Sequence, residues 1–425
     1  MELTLAQEKI LRGEKGESLA KYMQWMVGWG NAMQAHRLVP VENALPNGMS
    51  APGRDGIAFW LSDRIGDLIG DVSESDFQAF LEERTEIFSR PPACTVYTHI
   101  GTLDLEQPHR IEIDERRVKL QRQLLELAGR SGWILSWTCA PYLIGNVPVK
   151  GQICAWTESH AVVYINSILG ARSTRHGCES AVAAAVLGLT PEFGVLTDRG
   201  RKGDFLVEVK TDLIDVADWG ALGYFAGQIA GLRNPVFTGI NKVNLEQAIQ
   251  LCAALATGGG VSMFHMVGIT PEAPTLDAAF QGDKPEERYI FGKKELQQVY
   301  EELSKVSGND VDFVYIGCPH CTLQQMAEVA VYLRERRVAE GVTFILSTPF
   351  ALMMQGRRLG FVETIEKAGG YVMVDTCPAV TIWPRKKRMV TNSVKQAYYS
   401  CGVLGNESIL TPTRECLRIA TVGRR

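Results

Sequence analysis

The stretch from 312 to 375 constrains the fold of this chain more than any other. Apolar runs of strand length at 312–317, 342–347 and 371–375 alternate with amphipathic segments at 322–337 and 361–368. Strands and helices at this interval build βαβ units, and hence a largely parallel sheet covered by helices. In such sheets ligands bind outside the carboxyl ends of the strands. That rule selects three positions. Cys139, Cys318 and Cys377 close the runs "WILSWTC", "DFVYIGC" and "YVMVDTC", each with a proline one or two residues on. A single free cysteine is more often just a small buried residue, but three at three strand ends point to one crevice.

With 425 residues the chain exceeds one ordinary core. It divides into an N-terminal unit over 1–204, a middle unit over 205–300 and a C-terminal unit over 301–425. In the first, 18–37 is a helix burying Tyr22, Met23, Met26 and Met33, 37–56 is a short strand followed by a Pro-, Gly- and Asn-rich loop, 118–127 is helical and 133–138 is a strand. In the middle unit, 244–260 is a helix ending in glycines, followed by a strand and a Pro-rich loop. No repeat or low-complexity linker interrupts the chain.

Net charge is −4, with 46% hydrophobic and 22% charged residues, an ordinary globular balance. Phosphate backbones need clustered Lys and Arg, so no nucleic-acid partner is expected. The one basic run, "PRKKR" at 384–388, reads as a solvated turn near the site entrance. No apolar window is long enough for a membrane span, and the charged N-terminus lacks a signal-peptide core. A cytoplasmic location is expected, with its ten cysteines reduced.

"CPHC" at 318–321 opens three chemistries. A dithiol oxidoreductase would use Cys318 and Cys321 as a pair, with a helix N-terminus lowering the pKa of Cys318. Such domains are small and work mostly outside the reducing cytosol. Structural zinc wants four ligands, and only one C-x-x-C is present. A cluster held by three cysteines leaves one iron open as a Lewis acid for a substrate hydroxyl, which suits a hydro-lyase.

"TCAPYLIGNVP", "AWTESHAVVYINSILGAR", "FHMVGITPEAPT", "IGCPHCTLQQM", "VDTCPAV" and "TNSVKQAYY" occur in this order over nearly the whole chain. Together they resemble the large, cluster-bearing part of the aconitase X family. The resemblance implies an aconitase-like α/β fold, three α/β/α units with mainly parallel sheets around a cluster crevice. It implies dehydration of a small hydroxy acid, the family's reactions using 5-phosphomevalonate or cis-3-hydroxy-L-proline. Carried over by motif, Cys139, Cys318 and Cys377 would ligate an iron–sulfur cluster, [4Fe-4S] or [2Fe-2S], with Cys321 a neighbour helping to cap the helix. Glu158, Ser159 and Lys395 are the catalytic candidates. Lys395 is also a candidate to bind substrate, together with Gly48, Met49, Ser50, His99, Asn166, Ser167, Arg172 and Arg175. A buried polar network is the plainer role for Glu158, Asn166 and Ser167, and a surface position for Lys395.

Three departures fall where the family meets substrate. The glycine loop reads "ENALPNGMS", "YTHI" at 97–100 puts His99 at a family asparagine, and "GARSTRHGC" puts Cys178 at a glycine. The cluster motifs are intact, so chemistry is retained and the substrate shifted. Together with a soft, Cys-, Met- and Gln-containing composition, the altered loop makes cis-3-hydroxy-L-proline the leading substrate. Phosphomevalonate or another hydroxy acid is the alternative. A regulator bearing a cluster is a non-enzymatic rival that would need a nucleic-acid surface. Too few residues follow "TNSVKQAYY" for the small swivelling domain that carries the serine base in the family, so a separate small subunit is expected.

Overall fold

The alternation at 312–375 builds the centre of a five-stranded sheet. This computed structural model describes residues 1–47, 74–101, 103–110, 115–306, 308–381 and 387–424. Across the sheet run Gly370–Val374, Thr343–Thr348, Phe313–Ile316, Arg388–Thr391 and Glu407–Leu410, every neighbouring pair parallel. Numbered along the chain, the order is 3-2-1-4-5, reversing between Phe313–Ile316 and Arg388–Thr391. Successive residues point to opposite faces. Val314 and Ile316 pack with Met326, Val329, Leu333 and Val362 of covering helices. Phe313 and Tyr315 pack on the other face with Ile345, Tyr371, Met373 and Met389. Helices cover this sheet as expected, although the one predicted over 322–337 spans Leu323–Leu333 and a further helix, Phe350–Arg358, precedes Phe361–Lys367.

Two more parallel sheets complete the α/β architecture. Thr95–Val96, Asn43–Leu45 and Cys154–Trp156 form one, and His265–Met266, Pro235–Thr238, Phe205–Val209 and Arg288–Phe291 the other. Leu38–Pro40 and Leu189–Pro191 make an antiparallel pair. The helix Glu17–Ala32 buries Met23 and Met26, whereas Met33 lies just past its end and is 44% exposed. The predicted strand over 133–138 is not regular: only Ile134 bridges, to Tyr97, and Trp137 turns left-handed with φ 36°. Helix Leu245–Gly258 starts at an Asn244 cap and ends in glycines, as expected. It lies against Val216–Ala230 so closely that a Cβ on Gly223 would come within 2.5 Å of the Leu251 carbonyl oxygen. Among the described residues no helix is long and apolar enough to cross a membrane. The expected glycine loop, Gly48, Met49 and Ser50, and residues 384–386 of the basic run lie outside the described residues.

A candidate active site between two sheets

Each of the three cysteines is reached through a left-handed backbone turn. Trp137 and Asp375, two residues before Cys139 and Cys377, have φ of 36° and 63°, and Gly317, next to Cys318, has φ of 131°. Side chains rarely adopt such angles, which cost about 1–3 kcal/mol and concentrate at functional sites. Surrounding contacts hold them here. The Gly101 N–H donates to the Asp375 carbonyl at 2.7 Å. A Cβ on Gly317 would sit 2.5 Å from the Ser347 carbonyl oxygen, so only glycine fits. The turns lead all three side chains into one apolar pocket with Tyr315, Met373 and Met389.

In this pocket the sulfurs accept hydrogen bonds. The His320 N–H donates to Cys139 Sγ at 3.3 Å, the Ser393 side chain reaches Cys318, and the N–H groups of Val380 and Ala379 serve Cys377. Elsewhere the polarity is reversed: Cys154 and Cys416 donate to the carbonyls of Gln152 and Thr411. Burial pushes the Cys318 thiol up to about 12 and Cys377 to about 11, and raises Cys139 well above its ordinary value. Thiols so buried ionise when a metal takes the proton's place. Three unbridged sulfurs, each with a donor suited to a thiolate, fit an iron–sulfur cluster. Among the described residues no three His, Cys, Asp or Glu side chains close on a single ion; thiolates on different irons of a cluster stand farther apart.

Cys321 does not join them. Its side chain packs with Val314, Ile316 and Met326 on the opposite face of the sheet. It does not cap the helix either: the Thr322 hydroxyl accepts from the Gln325 N–H at 3.1 Å, and Gln325 answers through its side chain. Cys318 lies outside that helix, and burial raises its pKa where the dithiol reading required a lowered one.

Beside the pocket lies a buried ion pair between two sheets. Glu158 follows Cys154–Trp156, and Lys395 follows Arg388–Thr391. Lys395 Nζ donates to Glu158 Oε1 at 2.7 Å, with side-chain exposures of 15% and 8%. Burial alone would raise the Glu158 carboxyl, but Lys395 and then His160 hold it well below the usual range. Burial likewise opposes the Lys395 charge, and Glu158 and Cys318 more than restore it. His99 donates to Glu158 Oε2. His160 Nδ1 lies 2.8 Å from Glu158 Oε1 and its Nε2 lies 3.1 Å from the Tyr142 hydroxyl. Because a carboxylate only accepts, Nδ1 carries the proton and Nε2 accepts from Tyr142. Burial lowers the His160 pKa, in keeping with a neutral ring. Ser159 Oγ donates to Glu158 Oε1 at 3.3 Å and accepts from Lys395 at 3.4 Å.

The structure thus brings Cys139, Cys318, Cys377, Glu158, Ser159, His99 and Lys395 together. Lys395 is largely buried, unlike the surface lysine that composition suggests. Asn166 instead braces loops, its amide bonding Ser173 and the Ser262 carbonyl. Ser167 Oγ accepts from the Phe264 N–H at 2.8 Å. Arg172 donates to the Leu196 carbonyl and to Asp198, and lines a separate cleft of about 270 Å³ with Lys150 and Glu272. Arg175 is exposed. Sequence reasoning passed over Tyr142, His160, His320, Ser393 and Gln250, whose Nε2 donates to the Cys318 carbonyl at 3.1 Å. Four of them lie within quoted motifs: Tyr142 in "TCAPYLIGNVP", His160 in "AWTESHAVVYINSILGAR", His320 in "CPHC" and Ser393 in "TNSVK".

Comparisons with known proteins identify the family. Family models for the aconitase X first, second and third domains match residues 1–199, 203–301 and 311–422. The phosphomevalonate dehydratase large subunit of Methanosarcina mazei is 32% identical over 428 residues, covering 100% of this chain and 98% of that protein. The cis-3-hydroxy-L-proline dehydratase of Pseudomonas aeruginosa is 27% identical, covering 98% of this chain and 69% of that protein. The crystal structure of Thermococcus kodakaraensis aconitase X in its holo-form superposes with a TM-score of 0.82 at 30% identity, covering 99% of this chain and 100% of that one. The chain belongs to the aconitase X family, and it is a hydro-lyase.

Proposed function

We propose that this hydro-lyase removes water from a small hydroxy acid bound between Cys139, Cys318 and Cys377 on one side and the Glu158–Lys395 pair on the other. The observation that carries the reading is the convergence of three sulfurs, each with its own hydrogen-bond donor, beside a buried charge pair. The three cysteines would hold an iron–sulfur cluster, which when bound supplies an iron with an open position as Lewis acid. Lys395 stays charged, aimed by Glu158, and stabilises negative charge developing beside the substrate carboxylate. Glu158 is too acidic to be an effective base near neutral pH. His160 is neutral but hydrogen-bonded at both nitrogens. We assign the base, as the aconitase X resemblance implies, to a partner: a serine of a small swivelling subunit that closes over the crevice. Relatives that match end to end are named large subunits, in line with such a partner.

The leading substrate is cis-3-hydroxy-L-proline. Among the described residues the cation at the pocket is Lys395, already paired with Glu158, while Arg172 is tied to Asp198 away from it. That complement suits a carboxylate better than a dianionic phosphate. 5-Phosphomevalonate is the second reading, favoured by the end-to-end match with the large subunits named for it. The test is to purify the chain with its small subunit without oxygen and follow water loss by mass spectrometry. Turnover of cis-3-hydroxy-L-proline is expected. Turnover of 5-phosphomevalonate alone would replace the substrate, and an assembly that holds iron and sulfide yet dehydrates neither would sink both assignments.

A further inference from the structure

One side chain bonds to both of the other cysteine loops from within the third. His320 is 1% exposed. Its peptide N–H donates to Cys139 Sγ at 3.3 Å, its Nδ1 lies 3.0 Å from Thr138 Oγ1, and its Nε2 lies 3.0 Å from the Thr376 carbonyl oxygen. A carbonyl only accepts, so Nε2 carries the proton and Nδ1 accepts from the Thr138 hydroxyl. That hydroxyl in turn accepts from the Ala140 N–H at 3.0 Å, across Cys139. Thr138 and Thr376 each stand one residue before a cysteine, so the ring holds the "TC" pair of one loop at each nitrogen. With both nitrogens engaged by protein groups, the ring has a bracing geometry rather than a ligating one.

We infer that His320 is a positioning residue, the strut that presets the Cys139, Cys318 and Cys377 pocket before anything occupies it. The inference rests on the proposed site but makes a claim about the metal-free protein. Two of the three loops are entered through left-handed non-glycine turns. Beside the Gly101–Asp375 and Gln250–Cys318 bonds the ring is the tie that joins the loops to one another; without it the pocket would open more readily to solvent. The neutral ring suits this role, since its one donor and one acceptor on opposite sides match one carbonyl and one hydroxyl.

The test is thiol labelling of the full-length chain freed of metal, read cysteine by cysteine by mass spectrometry, with buried Cys252 as internal reference. Variants are His320→Ala, His320→Gln, which keeps a donor near Nε2, and Thr138→Val, which removes the Nδ1 partner and leaves the histidine in place. Cys139 and Cys377 are expected to label at least about 10-fold faster in His320→Ala and several-fold faster in Thr138→Val. His320→Gln should fall between wild type and His320→Ala, with Cys252 unchanged throughout. Equal acceleration at Cys252 would mean general loosening and overturn the strut, as would wild-type rates at Cys139 and Cys377. Should His320→Ala not fold, Thr138→Val and His320→Gln decide by the same criteria. A parallel reconstitution with iron and sulfide separates the two readings: a wild type that binds neither refutes the cluster, and the labelling pattern still judges the strut.

Discussion

The C-terminal and middle sheets share a winding and differ in what stands where it reverses. In the middle sheet the order is 3-2-1-4, reversing between Phe205–Val209 and Arg288–Phe291. By the rule for open α/β sheets both reversals open a crevice. The middle one ends in Lys210 and in Gly292, Lys293 and Lys294, with the lysines out in solvent. Lys210 pairs with Glu208 at 2.9 Å, at side-chain exposures of 58% and 30%, where water and salt screen the interaction. At the C-terminal reversal stand Cys318 and Lys395, walled in by the carboxyl ends of the N-terminal sheet, which bring His99 and Glu158. Topology supplies a crevice in both places. Burial and partners from a second sheet make the candidate site of one.

The largest expected difference lies in the cysteines. Cys318→Ser should abolish iron and sulfide binding, whereas Cys321→Ser should leave both near wild type, because Cys321 packs on the opposite face of the sheet. Metal analysis and the visible spectrum of the anaerobically purified variants check this. Equal loss in both variants would return the two cysteines to a single functional pair.

Next come the lysines of the two reversals. Lys395→Ala should lower kcat by about 10²–10³-fold and destabilise the protein by about 3 kcal/mol, since it leaves Glu158 buried without its main counter-charge. Lys293→Ala should change stability by less than about 0.5 kcal/mol and leave kcat unchanged. Steady-state kinetics and urea unfolding check both. A kcat for Lys395→Ala within about 3-fold of wild type would remove the lysine from the chemistry.

The glycines before the two crevices sharpen the contrast further. Gly317→Ala must place a Cβ against the Ser347 backbone at a φ of 131°, and should cost about 3 kcal/mol. Gly292 has a φ of −118°, and a Cβ there would meet only the flexible Glu295 carboxylate at 3.3 Å. Gly292→Ala should therefore cost under about 1 kcal/mol. Thermal melts of the two variants measure the difference.

What was legible in the sequence divides along the same line. The Cys318 and Cys377 loops could be read because strand periodicity and the strand-end rule are local; Cys139 was reached through a strand that does not form, and the aconitase X motifs lie on all three loops. The irregular stretch at 133–138 could not: its residues are strand-like, but one bridge at Ile134 and the left-handed Trp137 are set by neighbours distant in sequence. Arg172 was read as a carboxylate clamp because nothing nearby shows that Asp198 and the Leu196 carbonyl occupy its guanidinium. His160 and His320 escaped notice for a similar reason. Tyr142 lies 18 residues from His160, and Thr138 and Thr376 lie 182 and 56 residues from His320. No local pattern announces such pairings.

The smallest expected effect is an absence of pH dependence where the site is most charged. Glu158 has a folded pKa well below its ordinary value, so its contribution to stability is present above the unfolded carboxyl value and lost as pH falls through the folded one. Lys395 has a raised folded pKa, so its contribution is present below the unfolded amine value and lost only as pH rises through the folded one. With unfolded values of about 4.3 and 10.4, the pair contributes a constant amount between roughly pH 5 and pH 9. The difference in unfolding free energy between wild type and a Glu158→Gln, Lys395→Met double variant should therefore be flat across that window in urea titrations. A slope that persists in a His99→Asn, His160→Asn background, which removes the two histidines bonded to Glu158, would mean that one of the two charges titrates near neutrality. If that charge is Glu158, the carboxylate could take a proton from substrate, and the proposed partner serine would not be needed as the base.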